Sequence, residues 1–417
     1  MICLHPRTEA DHECPRCRLP LGVAGWLMPG VRALADLRCA HCGREFYGDL
    51  AVGQALHTPM LLEKATGAVH DAHGVEWFAG WLRDSYARRA DAPVPFAVRE
   101  RRPVTRPVVL LNCLDTLYGH CLLKLLNAQR HLDRRADFDL VVMVPSVVAW
   151  MVPDGAAQIW EVDLPLGRGA EWNEWIAREV RRRVEEFGDV SLSRAHSHPR
   201  PDEYDIERFT RVRPFPLAEW EARLVAPAVT FIWRDDRRWE AMPATPDVAR
   251  GGKLGRLLAA APRRAGGQPE LVSALAEALR REWPALRFSV AGLSAFGGGE
   301  GLPAWVEDLR RQSPTEAYER GWCARYAESH VVVGVHGSNM LLPTAHAGAL
   351  VELIGPERWG NFTQDVLFPT AGDCRETFFR YRFVPDTTRP RELAQLVSTL
   401  LGGREKFLRL MRVTRQT

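Results

Sequence analysis

The stretch Tyr326–Ile354, YAESHVVVGVHGSNMLLPTAHAGALVELI, decides the fold. Its β-branched run, Val331 to Val333 and then Val335, reads as a buried strand. His336-Gly337-Ser338-Asn339 follows, a turn that must open into a helix starting near Met340. A second strand, Ala349–Ile354, comes almost at once and carries one carboxylate, Glu352. Strand, Gly-containing turn and helix N-terminus together suit an anion, because first-turn N–H groups are unpaired and the helix dipole favours negative charge. Gly337 lets the backbone approach a phosphate closely. Glu352, 15 residues beyond Gly337, stands where an acid can hydrogen-bond a sugar or ribose hydroxyl. The same pattern also suits an ordinary βα turn in a parallel sheet, with Ser338 or Asn339 as a plain helix cap.

Outward from this unit, strands and helices alternate. Val108–Leu111, Asp139–Val144 and Ala157–Val162 read as strands, with helices over Leu117–Leu132 and Asn173–Phe187. Val229–Trp233 opens a second series with a helix at Leu271–Trp283, a strand at Phe288–Ala291 and helices at Pro314–Glu328 and Leu393–Leu401. Glycines 251–252 and the segment 262–267 read as a flexible insertion. Such alternation implies parallel sheets. The expected fold is α/β, with two doubly wound Rossmann-like domains, 108–225 and 226–417, facing across a cleft; ligands in such sheets sit at the carboxyl ends of the strands. Residues 51–107 read as a helical bridge and linker, its Pro- and Arg-rich end at 91–107.

The chain has 417 residues, 46% of them apolar and 26% charged, with a net charge of +3. That is a soluble globular composition, too mildly basic to argue for nucleic acid. No apolar run approaches the ~20 residues of a membrane helix, and the polar N-terminus lacks an apolar signal core, so a cytoplasmic protein is expected. Nine cysteines in a chain this long do not suggest a disulfide framework.

Cys14-Pro-Arg-Cys17 and Cys39-Ala-His-Cys42 form two CxxC pairs separated by 21 residues. Structural Zn²⁺ takes four thiolates in a tetrahedron, and each CxxC turn supplies two. Residues 1–50 therefore read as a zinc-ribbon module, with Cys3, His5, His12 and His41 as bystanders. So small a module buries little core, and the metal is expected to supply much of its folding energy.

With these residues in view, the chain resembles GT-B glycosyltransferases, most closely the family 61-type enzymes. Those show an "ADVVVGVHGAGLTN…PGAVVVEL" run, matched here by AESHVVVGVHGSNMLLPTAHAGALVELI. Their N-Y-G-H-hydrophobic-L-L-D helix start is matched by LLNCLDTLYGHCLLKLL, over Tyr118-Gly119-His120, and their strand ending in arginine by TFIWRDDRRW, with Arg234 and Arg237. The resemblance spans roughly residues 108–355 and does not extend to the zinc ribbon. It implies that His336, Gly337, Ser338 and Asn339 line a donor diphosphate, that Arg234 and Arg237 neutralise it as it leaves, and that Glu352 holds a donor hydroxyl. It places His120 near the acceptor. The chain departs from the pattern at Lys124, where many members carry Asp four residues after the His; the general base is then Asp115 or His120 itself.

Sugar transfer requires stabilisation of the leaving diphosphate and a base for the acceptor hydroxyl. Asp235-Asp236 follow a strand but stand among Arg234, Arg237 and Arg238, an ion-paired turn in place of a Mg²⁺ site, so no catalytic metal is expected. The leading expectation is a metal-independent, inverting transferase that uses a nucleotide sugar and an acceptor glycan, protein or metabolite. The alternatives are a non-catalytic nucleotide-sugar or partner-binding protein with a degenerate transferase fold, a nucleotide-sugar epimerase and, last, a zinc-ribbon nucleic-acid binder.

Overall fold

A computed structural model describes residues 1–134, 137–200, 203–240, 267–298, 301–364, 366–367 and 373–412. The insertion expected around 251–267 lies, but for Gly267, outside them. The chain divides into two compact units, Met1–Phe209 and Thr210–Thr417.

In unit 1, β1 (Ile2–His5) precedes a meander of β2 (Gly22–Leu27), β3 (Leu34–Arg38), β4 (Glu45–Asp49), β5 (Met60–Glu63) and β6 (Val69–Asp71), which form one antiparallel sheet in sequence order. Helix α1 (Glu76–Ala87) follows. The expected helical bridge is thus half sheet. Met60–Glu63 is a short apolar run, and periodicity does not separate helix from strand over so few residues. The ribbon also carries more core than its length suggests. Leu34, Met60 and Leu62 are fully buried against Phe78 and Leu82 of α1 and against Trp172 and Ala177. The ribbon is therefore built into unit 1, not a module held up by metal alone.

The second sheet of unit 1 comprises β7 (Phe96–Glu100), β8 (Val108–Asn112), β9 (Asp139–Pro145), β10 (Gln158–Val162) and β11 (Val190–Leu192), with helices α2 (Tyr118–Arg134) and α3 (Glu174–Val184). Its order is β1-β11-β8-β9-β10-β7. Strands β8 to β11 are parallel, whereas β1 and β7 close the edges antiparallel. The stretch read as a linker therefore holds an edge strand, Phe96–Glu100, between prolines that only an edge tolerates. Order runs outward from β8 through β9 to β10, then reverses to β11 on the other side.

Unit 2 contains β12 (Ala228–Trp233), β13 (Arg287–Leu293), β14 (Glu307–Arg311), β15 (Val331–Val335), β16 (Ala349–Ile354) and β17 (Tyr381–Pro385), all parallel. The order β14-β13-β12-β15-β16-β17 is the 3-2-1-4-5-6 of a dinucleotide-type Rossmann sheet. Alternate residues, Val229 and Phe231, Val331 and Val333, Ala349 and Val351, pack with Leu271, Leu275 and Leu279 of helix Gln268–Glu282 and with Leu393, Val397 and Leu401 of helix Pro390–Met411. Charged β14, EDLRR, escapes periodicity because it is an edge.

Candidate functional site

In unit 2 the strand order reverses between β12 and β15, where the crevice at the carboxyl ends is widest for a ligand. Arg234 leaves β12 and His336 leaves β15. Arg234 donates from Nη1 to Asn339 Oδ1 at 2.6 Å and, through Nε and Nη2, to Asp236 at 2.7 and 2.5 Å. Arg237 Nη1 donates to the His336 carbonyl at 2.5 Å. Both guanidiniums thus converge on the Gly337 turn. Gly337 has φ +149°, and a Cβ there would stand 2.5 Å from Arg234 Nη1 and 2.8 Å from Arg237 Nη1. Only glycine leaves that room. Burial pushes the Arg237 pKa down, helped by the like charges of Arg234 and Arg358. Such a concentration of positive charge calls for an anion.

The helix beyond the turn is shorter than the sequence suggests. A 3-10 turn, Ser338–Met340, leads into only Leu341–His346. No side chain caps it, and Asn339 turns its oxygen to Arg234. The dipole of so short an element is small, so arginine supplies most of the positive field. The Asn339 amide nitrogen is buried with no hydrogen-bond partner among the described residues.

His336 and Glu352 form a sealed pair. Nδ1 lies 2.7 Å from Oε2, with side chains 1% and 0% exposed. Burial drives the Glu352 carboxyl well above its ordinary value, against the opposing effect of the Tyr381 hydroxyl. A protonated Glu352 donates to Nδ1, which makes the His336 Nε2 an N–H donor. Glu352 therefore anchors the turn from beneath. Asp235 and Asp236 are both engaged: Asp235 accepts from Trp233 Nε1 at 2.8 Å and from the Ala295 N–H at 2.6 Å, and Asp236 is held by Arg234.

In unit 1 the equivalent reversal lies between β8 and β11. Asp115 follows β8 and is 8% exposed. Its Oδ2 lies 2.7 Å from Lys124 Nζ and its Oδ1 3.1 Å from His120 Nδ1. Lys124 also donates to the Leu114 carbonyl at 2.8 Å. Burial pushes the Asp115 carboxyl up, but Lys124 and His120 outweigh it and hold it below the usual carboxylate range. An ionised Asp115 only accepts, so Nδ1 of a neutral His120 is the donor and Nε2 is left as an acceptor. The His120 side chain is 43% exposed. Cys113 and Cys121 are fully buried packing residues whose thiols burial pushes up.

The sulfurs of Cys14, Cys17, Cys39 and Cys42 all lie within 4.8 Å of one another, with Cys14 and Cys42 at 3.7 Å. A tetrahedral zinc with ~2.3 Å bonds separates its sulfurs by about 3.8 Å, so the donor set fits that ion. The Arg18 N–H donates to the Cys14 carbonyl and the Gly43 N–H to the Cys39 carbonyl, at 2.9 and 3.0 Å, which builds two alike knuckles. Both residues have positive φ, 58° and 70°. His12 is not a ligand; its Nε2 meets the Asp49 carbonyl at 2.9 Å.

The structure thus brings Arg234, Arg237, His336, Gly337 and Asn339 together around one turn, with Ser338 half-buried beside them and Glu352 beneath. It sets Asp115 and His120 together in unit 1. Two residues of the unit 2 site escaped the sequence reading. Gln268 fixes the Arg234 carbonyl at 3.2 Å and the Trp239 N–H at 3.1 Å, with no motif to announce it. Arg358 follows β16, and the rule that strand ends carry function points to it.

No protein-family model matches the chain, and no curated protein matches it in sequence. Among solved structures, the ADP-heptose LPS heptosyltransferase II of E. coli is similar over 72% of this chain and 100% of its own, at 13% identity and a TM-score of 0.38. A putative UDP-N-acetylglucosamine 2-epimerase from Listeria monocytogenes matches over 74% and 92%, at 8% identity and a TM-score of 0.34. The iron-containing dodecameric glycosyltransferase TibC of enterotoxigenic E. coli matches over 97% and 99%, at 12% identity and a TM-score of 0.34. Likeness this distant carries no argument about activity, which rests on the residues above. No helix among the described residues is long and apolar enough to cross a membrane.

Proposed function

We propose that the chain is a GT-B glycosyltransferase of the family 61 type that moves a sugar from a nucleoside-diphosphate donor to an acceptor hydroxyl. The observation that carries this reading is the Gly337 cradle, where two guanidiniums stand within 3 Å of a missing Cβ. Arg234 and Arg237 bind the diphosphate and neutralise the charge it gathers on leaving, a task suited to planar, permanently charged forks. The Asn339 amide, the Ser338 hydroxyl and the turn N–H groups line the same place. Glu352 positions His336, whose Nε2–H donates towards the donor. His120, oriented by Asp115, takes the acceptor proton at Nε2. Arginine acts where other transferases use Mg²⁺, so donor binding needs no metal. The four cysteines hold a structural zinc remote from the chemistry.

Nucleoside diphosphates (UDP, GDP, CDP, ADP, dTDP) tested by thermal shift in EDTA, on wild type and Arg234→Ala, decide the matter. One of them stabilises wild type only. If none stabilises wild type, the reading falls.

Lys124 favours a second reading. Its ammonium neutralises Asp115 at 2.7 Å, where the resemblance leads one to expect an acid. A chain that binds the nucleotide sugar and never turns it over, with any acceptor, is a binding protein.

A further inference from the structure

A cavity of about 660 Å³ opens in unit 1 between α2 and the loop that leaves β11. Its size is that of a small-ligand site. Asn127, Arg130, His131 and Arg134 line it from α2; Ser193, Arg194 and His196 close it from the loop. The spacing 127, 130, 131, 134 places one face of the helix towards the cavity. The loop is pinned in place: Asn127 Nδ2 donates to the His196 carbonyl at 2.8 Å, and His131 Nε2 meets Ser193 Oγ at 2.7 Å. Ala195 takes φ +44° to complete the bend.

The guanidiniums here are unspent. Arg130, Arg134 and Arg194 each carry five N–H donors, yet none makes a hydrogen bond among the described residues. Their one acid is Glu203, at 3.9 Å from Arg130 and 3.5 Å from Arg134, too far to hold either in a tight fork. Asp137 also lines the cavity and tempers the charge. The positive field has a visible effect on His196, whose pKa is lowered by burial and then by Arg130. Three guanidiniums from two elements surround an oxyanion with three free oxygens better than a planar carboxylate, which presents two.

We infer that this cavity is a second anion site, which binds a phosphate-bearing ligand through Arg130, Arg134 and Arg194. It is separate from the Gly337 cradle of unit 2, and the inference stands whether or not that cradle holds a nucleotide sugar.

Equilibrium dialysis with inorganic pyrophosphate tests it. The Arg234→Ala/Arg237→Ala variant, stripped of the cradle, still binds about one pyrophosphate per chain. Adding Arg130→Gln and Arg194→Gln lowers that affinity at least tenfold. Arg194→Gln alone alters an exposed side chain with no hydrogen bond to break, so it keeps the fold and still weakens binding at least threefold. The inference is overturned if the cradle-less variant binds no pyrophosphate, or if the cavity substitutions leave its affinity unchanged. Loss of nucleoside diphosphate binding in that variant reports on the cradle alone.

Discussion

Each unit sets a histidine–carboxylate pair beside the reversal of its strand order, and the two pairs are built with opposite electrostatics. In unit 1, Asp115 faces an ammonium at 2.7 Å and stays ionised beside a half-exposed histidine. In unit 2, Glu352 has no cation within ion-pair reach other than His336 among the described residues, is fully buried and is driven towards its neutral form. The difference lies in neighbours, not in the pair. An ionised acid leaves the far nitrogen of its histidine as an acceptor; a protonated one leaves it as a donor. The same two residue types therefore provide a base in one unit and a hydrogen-bond donor in the other.

The comparison breaks most sharply at Gly337. Gly337→Ala forces a methyl into both guanidiniums and a φ that disfavours L-residues, at about 1–3 kcal/mol of strain. Calorimetry should show nucleoside diphosphate affinity falling at least a hundredfold while Asp115 and His120 are untouched. His120→Asn comes next: removal of a general base lowers kcat by roughly 10²–10⁴-fold, with nucleotide affinity unchanged. Unaltered turnover in that variant would mean that the unit 1 pair is not the base.

The pairs should also differ in sign with pH. The folded Glu352 value stands above its ordinary 4.5. Its contribution to stability is full below 4.5 and is lost as pH rises through the folded value, by about 1.4 kcal/mol per unit of pKa difference. The folded Asp115 value stands below 3.8, so its contribution is present above 3.8 and is lost as pH falls through the folded value. Hydrogen exchange across pH should show unit 2 loosening towards alkali and unit 1 towards acid. Glu352→Gln, neutral at every pH, should flatten the unit 2 slope; an unchanged slope would assign it to another group. The smallest effect on the site is expected from zinc chelation. It should lower the melting temperature of unit 1, because the knuckles staple the β2–β4 end of its ribbon, and leave nucleotide affinity within twofold by calorimetry.

Much of this was legible in the sequence where residues act locally. The β-branched run at Val331, the acid within Ala349–Ile354 and the two CxxC pairs each announce themselves by spacing, and the structure places them as read. The illegible parts depend on distant partners. Strand β1 pairs with β11, which no window of sequence can join. The helix after Gly337 stops early at His346, where Ala347 turns extended and Gly348 packs under Trp220, with 2.7 Å between that ring and a would-be Cβ. Lys124 reads as a departure from the expected acid; only its contact with Asp115 shows what it does. The cavity at Arg130 joins a helix face to a loop some 60 residues on and carries no motif.

The pairing of β1 has a consequence for synthesis. Ile2 lies opposite Leu192, with the whole ribbon between them. At ~5–20 residues per second, a ribosome takes roughly 10–40 s to deliver the partner strand. The first strand emerges and waits, an unpaired edge open to wrong partners. Cys14 to Cys42, by contrast, is complete within the first tenth of the chain. A metal captured there would anchor the waiting strand to a folded body, so cells short of zinc should yield misassembled nascent chains before they yield unstable finished ones.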